Sequence, residues 1–128
     1  MRKIVDHLIS TAVDEGLHIA ATDEPGAGGA NHEYVLSWPL GEAADGFPLG
    51  NCVALSFQNG PIAEVGVNGI TNEALLAIVI DRLRSFQEGS FACYENQSAL
   101  HFCELALQCL KDRTRHRLRR GVEGRNVA

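Results

Sequence analysis

From Ser98 to Arg120 the chain contains neither glycine nor proline, and Ala99, Cys103, Ala106 and Leu110 recur at helical spacing. Such a run predicts one continuous helix. It ends as K-D-R-T-R-H-R-L-R-R followed by Gly121, which accepts positive φ without strain and so suits the position after a helix end. Arg113, Arg117 and Arg120 are four and three residues apart and share one face of the last turns. Each guanidinium offers a planar fork of donors, so such a comb suits phosphate. Cations also suit a helix C-terminus for electrostatic reasons alone. Five arginines and Lys111 in ten residues exceed what that role requires.

The stretch before this helix explains what it packs against. Thr71 or Asn72 can cap a helix over 72–87, with Leu75, Leu76, Val79 and Leu83 as its core-facing stripe and Phe86 in its last turn. A short connector, E-G-S-F-A-C-Y, leads to Glu95 and Asn96, where the final helix is expected to begin. Helices joined this briefly lie antiparallel as a hairpin. Phe86 and Asn96 then belong to the turn end, while the comb lies about 25 Å along the helix at 1.5 Å per residue. One chain cannot close these residues into one small pocket, whereas a second, antiparallel copy can. Taken singly, Phe86 also fits a core position and Asn96 a helix N-cap.

The first half reads as β-structure. Ile4, Val5, Leu8, Ile9, Ala12 and Val13 predict a short amphipathic helix over residues 2–15, closed near Gly16. L-H-I-A-A-T and E-Y-V-L-S-W read as strands, joined through a loop holding Gly26, Gly28 and Gly29. Glycine loops that cradle phosphate open directly into a helix, and this one opens into a strand. Residues 39–50 read as irregular loop. Residues 52–58 alternate as a strand, Asn59-Gly60 suggests a tight turn, and I-A-E-V-G-V reads as the partner strand. The expected fold is therefore α+β: a small antiparallel sheet over 17–67, then a helical hairpin over 71–121, in a single oligomeric domain.

Charge narrows the function. Residues 1–110 carry four basic and fourteen acidic side chains, whereas residues 111–128 carry seven basic and two acidic. An acidic body with one basic locus suits a compact anionic ligand better than nucleic acid, which calls for an extended basic face. An arginine-rich helix binding RNA or DNA is the alternative. The four cysteines form no Cys-x-x-Cys pair and read as thiols of a reducing cytosol. No apolar run approaches membrane-spanning length. Cys93 with His101, or Asp23 with His32, lack the local pattern of a catalytic signature, and the other histidines lack metal-ligand spacing. No enzyme, metal or cofactor is expected.

N-G-P-I (59–62), G-V-N-G-I-T-N-E-A-L-L-A-I-V-I-D-R-L (66–83), F-A-C-x-E-N (91–96) and R-T-x-x-R-x-x-R-G-V-E-G (113–124) resemble the phage anti-Thoeris sponge family. That resemblance implies a non-enzymatic protein in the host bacterial cytoplasm that sequesters glyco-cyclic ADP-ribose, the signal of TIR defence enzymes. It also implies a pocket between protomers, with binding positions at Phe86, Asn96, Arg113 and Arg117, and assembly as a trimer of dimers. To these the comb adds Arg120. Some family members also bind cyclic trinucleotides, the signals of CBASS defence, at separate sites. Tyr94 stands where the family usually has arginine, a departure that bears on trinucleotides more than on ADP-ribose.

Overall fold

The computed structural model describes residues 1–9 and 16–121. The chain forms two compact units, residues 1–60 and 61–128.

The first unit is a four-stranded antiparallel meander in the order β1 (Arg2–Ile4), β2 (His18–Ala21), β3 (Glu33–Glu42) and β4 (Pro48–Ser56). The expected helix at the N-terminus is corrected here. Arg2, Lys3 and Ile4 pair with Ala21, Ala20 and Ile19, because Ile4 gains a ladder partner that a lone amphipathic turn would lack. Residues 5–9 contain no helix, and Ala12 and Val13 lie outside the described residues.

β2 and β3 match the two expected strands, and the glycine loop connects them. Asp23 fastens that loop: its carboxylate accepts the His32 backbone N–H at 2.9 Å and the Asn31 side-chain amide at 3.1 Å. The His32 N–H, followed by the Asn31 amide, holds the Asp23 carboxyl below its ordinary range. Ala21 and His32 are buried among the described residues of this unit, and Tyr34 meets Phe57 edge-on with ring centroids 5.5 Å apart.

Residues 39–50 are not irregular loop. β3 and β4 run through them as one hairpin, with a bulge between Pro39 and Gly41. The apparent breakers are accommodated individually. Pro39 lies beyond the reach of β2, whose pairing stops at Ser37, and Gly41 adopts φ +103° at the bulge. Ala43 N–H donates to Phe47 C=O at 2.8 Å to close the turn, with the Asp45 carboxylate accepting the Phe47 N–H at 3.0 Å.

The second unit is helical from its start. I-A-E-V-G-V does not form a strand: Ile62–Val65 is one turn of helix, α1, bracketed by Pro61 and by Gly66 at φ +74°. Asn59-Gly60 accordingly leads from β4 into a helix and not into a partner strand. Proline before and glycine after favour a turn of helix over an extended strand. α2 (Asn72–Glu88) follows, capped by Thr71, whose hydroxyl accepts the Ala74 N–H at 3.1 Å. α3 (Tyr94–Arg119) runs 26 residues, about 39 Å, and Gly121 follows at φ +70°, as its position after the helix required.

α2 and α3 are antiparallel, as the ion pair Arg84–Glu104 (3.3 Å) and the contact Gln87–Gln97 (3.2 Å) fix. Besides Leu75 on α2 and Asn96 and Ser98 at the start of α3, their less exposed positions form two heptad-like series: Glu73, Leu76, Ile80, Leu83 and Gln87 on α2, and Leu100, Cys103, Leu107, Leu110, Thr114 and Arg117 on α3. Steps of three and four keep one narrow seam facing its partner. Of the expected stripes, Leu75, Leu76, Leu83, Cys103 and Leu110 are among the less exposed positions, whereas Val79, Ala99 and Ala106 are exposed and Ile80 and Leu100 take the centre.

Candidate functional site

The hairpin has two ends of different chemistry. At the turn end, Gln87 ties the connector down: its carbonyl oxygen accepts the Cys93 N–H at 3.0 Å and its amide donates to Cys93 C=O at 3.1 Å. Cys93, not Asn96, is the N-cap of α3, with Sγ accepting the Asn96 N–H at 3.4 Å. Asn96 therefore sits inside the first turn, where its side chain donates weakly to Phe91 C=O at 3.5 Å. That bond leaves the carboxamide oxygen for another partner.

Phe86 is 41% exposed in the last turn of α2, so it is not a core residue. Arg82, one turn earlier, lies over its ring with the guanidinium carbon 5.7 Å from the centroid. The sequence reading missed Arg82, although its spacing of four from Phe86 is what an intrahelical pair requires. Gln87 was missed as well; nothing in its local pattern distinguishes a connector clamp from a surface glutamine.

The comb end is arginine-rich but not uniform. Arg115 is committed to Asp112 at 2.9 Å, and Gln108 donates to the same carboxylate oxygen at 3.0 Å. Arg113 is exposed with no carboxylate partner among the described residues. Arg117 is half-buried along the seam, and Arg120 is exposed at the C-cap, its backbone N–H donating to His116 C=O at 3.1 Å.

The structure thus brings Phe86 and Asn96 together at the turn end, and Arg113, Arg117 and Arg120 together at the other. Seventeen residues of helix, about 25 Å, separate Asn96 from Arg113 within one chain. α3 also carries a second apolar line, Phe102 (66% exposed), Leu105 (49%) and Cys109, on the side away from the seam. On α2, Ile78 and Val79 are likewise exposed. Of the two enzyme-like pairs, Asp23 and His32 are joined through the backbone N–H of His32 and not through its ring, an arrangement that anchors a loop. Among the described residues no group of three or more metal-ligating side chains occurs, and no helix is long and apolar enough to cross a membrane.

Comparison with known proteins adds what geometry cannot. Residues 54–110 match the Acb2/Tad1 hairpin domain, a span that contains Phe86 and Asn96 and stops just short of the comb. The chain is 48% identical over 75 residues to Thoeris anti-defense 1 of Bacillus phage SBSphiJ7. That alignment covers 59% of this chain and 53% of the relative, so the chain spans about half the length of the curated relative it matches. The matched segment holds all of α2 and most of α3. Its helical hairpin thus matches the Acb2/Tad1 hairpin domain, and over 75 residues the chain is similar to a phage Thoeris anti-defense protein.

Proposed function

We propose that this protein counters Thoeris defence as a sponge: it binds glyco-cyclic ADP-ribose in the cytoplasm of the infected bacterium and holds it without degrading it. The observation that carries this reading is the division of the hairpin into an aromatic–amide end and an arginine end about 25 Å apart. A second copy packed antiparallel would set the Phe86 and Asn96 of one chain beside the Arg113 and Arg117 of the other. The exposed line Phe102–Leu105–Cys109 is the kind of apolar surface that a second helix covers. A trimer of such dimers is the assembly the family resemblance implies.

The chemistry suits the ligand. Arg113 and Arg117, with Arg120 beside them, would hold the pyrophosphate through charge-assisted hydrogen bonds, about 1.5–3 kcal/mol each. Phe86 would stack on the adenine, contributing about 1–3 kcal/mol by analogy with single-stranded nucleic-acid binders. Asn96 would read a base edge or ribose hydroxyl with its free carboxamide oxygen. For ~35 heavy atoms at ~0.3 kcal/mol each the total is about 10 kcal/mol, tens of nanomolar or better. The arginines of the comb do not act as general bases, because guanidiniums do not deprotonate.

The rival reading, an arginine-rich helix on RNA or DNA, is weakened by Asp112, which sits inside the comb and occupies Arg115. The test is to incubate the protein with an extract of TIR-activated cells, wash, heat, and analyse what is released. A single cyclic ADP-ribose isomer supports the proposal. Release of nucleic acid fragments, or of nothing, contradicts it.

A further inference from the structure

The two edges of the sheet are built differently. β1, at one edge, is three residues long and carries Arg2 and Lys3, the short and charged form that blunts an edge against pairing. β4, at the other, is nine residues long, P-L-G-N-C-V-A-L-S, and carries no charge. Its side chains are almost all exposed, including Leu49 (45%) and Val53 (44%).

The ladder fixes which backbone groups that edge presents. Phe57 N–H donates to His32 C=O at 2.8 Å, in the same register that sets Glu33 opposite Ser56. Bonded pairs alternate along an antiparallel ladder, so Leu55, Val53 and Asn51 turn their N–H and C=O groups toward β3. Gly50, Cys52, Ala54 and Ser56 turn theirs away. The Cys52 N–H is consistent with this, being met by its neighbour's side-chain oxygen, Asn51 Oδ1, at 2.9 Å. A row of outward backbone groups on an uncharged strand is a template for another strand.

The sequence of β4 says which strand. Read outward from Cys52, Leu49 mirrors Leu55 and Gly50 mirrors Ala54, with Asn51 and Val53 between. A strand with this pattern is its own complement about a two-fold axis. In antiparallel self-pairing centred on Cys52, all nine residues overlap, leucine faces leucine, small residue faces small residue, and no like charges meet. A foreign strand needs no such mirror symmetry.

From the charge-free edge and its mirror pattern, we infer that β4 pairs with β4 of a second copy, joining two four-stranded sheets into one of eight strands about a two-fold axis at Cys52. This contact is separate from the helical hairpin and stands whether or not the protein binds a nucleotide.

The test uses the full chain with Cys93, Cys103 and Cys109 replaced by serine, leaving Cys52 as its one thiol. Facing residues of a bonded antiparallel pair have Cα atoms about 5.5 Å apart. A short bismaleimide should therefore convert most of the protein to a covalent dimer, to the same extent across a tenfold dilution in the micromolar range. Cys52→Lys in the otherwise natural chain sets two ammonium groups opposite each other. It should lower the mass measured by light scattering to half or less, while the strand circular-dichroism signal persists. If that signal is lost, Ala54→Pro replaces it, since the outward Ala54 N–H takes no part in the β3 ladder. Absence of the crosslink, or an unchanged mass in a folded edge variant, overturns the inference.

Discussion

Replacing Arg113 and Arg117 together by alanine perturbs the proposed phosphate grip most directly, and the structure sets the expected size. Each lost charge-assisted hydrogen bond removes about 1.5–3 kcal/mol, roughly 10- to 150-fold in affinity. The two side chains are one turn apart and would share the proposed ligand, so their effects need not add. A combined loss of about 10²- to 10⁴-fold is expected, taking a tens-of-nanomolar site to micromolar or weaker. Stability should respond differently at the two positions. Arg113 is exposed, and its truncation should change stability by less than about 0.5 kcal/mol. Arg117 is half-buried along the seam, so its alkyl stem contributes some packing and its loss should lower the melting temperature slightly. Arg115 is the internal control, because it is already paired with Asp112 at 2.9 Å on a solvent-exposed face. Exposed pairs of this kind contribute about 0–1 kcal/mol, so Arg115→Ala should leave affinity within a few-fold of wild type. Isothermal titration with glyco-cyclic ADP-ribose reads all three variants. Equal losses from Arg113→Ala, Arg115→Ala and Arg117→Ala would refute a shaped pocket and leave only a diffuse field of positive charge.

Other expectations follow from the same geometry. Phe86→Ala should weaken ligand binding by about 1–3 kcal/mol while barely altering thermal stability, since the ring is 41% exposed; calorimetry and a melting curve separate the two. Ile80→Ala should do the reverse: Ile80 is 3% exposed at the centre of the seam, and its truncation should cost about 2–5 kcal/mol in chemical denaturation. Asp23 is held below its ordinary range by the His32 N–H, so its contribution is fully present above the unfolded carboxylate value near 3.9 and is lost as pH falls through the lower folded value. The melting-temperature gap between wild type and Asp23→Ala should therefore stay constant from about pH 5 to 8 and close below about pH 4.

The helical hairpin was legible because its signals are local. Thr71 as cap, Gly121 as terminator and the unbroken run between 98 and 120 each act within a few residues. Which side of each helix faces inward was less legible. Ala99 and Ala106 share a helical line with Cys103, but Leu100 and Leu107 offer more apolar surface, and the seam turned toward them. The sheet was misread where long-range pairing outweighed local punctuation. Pro39, Gly41, Pro48 and Gly50 look like loop residues, yet a bulge and the end of β2 make room for each. Arg2–Ile4 forms a strand only because β2 is there to receive it, which no local pattern can report. At the candidate site, residue types and spacing exposed the comb, whereas Phe86 and Asn96 entered as binding positions through the family resemblance. Arg82 over Phe86 and the Arg115–Asp112 pair emerged only from side-chain positions.

The central claim is sequestration without chemistry, and a titration tests it most directly. A fixed amount of glyco-cyclic ADP-ribose is mixed with increasing protein, the unbound fraction is removed by filtration, and the retained material is heat-denatured and chromatographed. The account predicts that free ligand falls in proportion to protein, reaches zero near one ligand per chain, and returns after heating as the starting molecule in full yield. Clearance of excess ligand by a trace of protein, with a new product after heating, would contradict it.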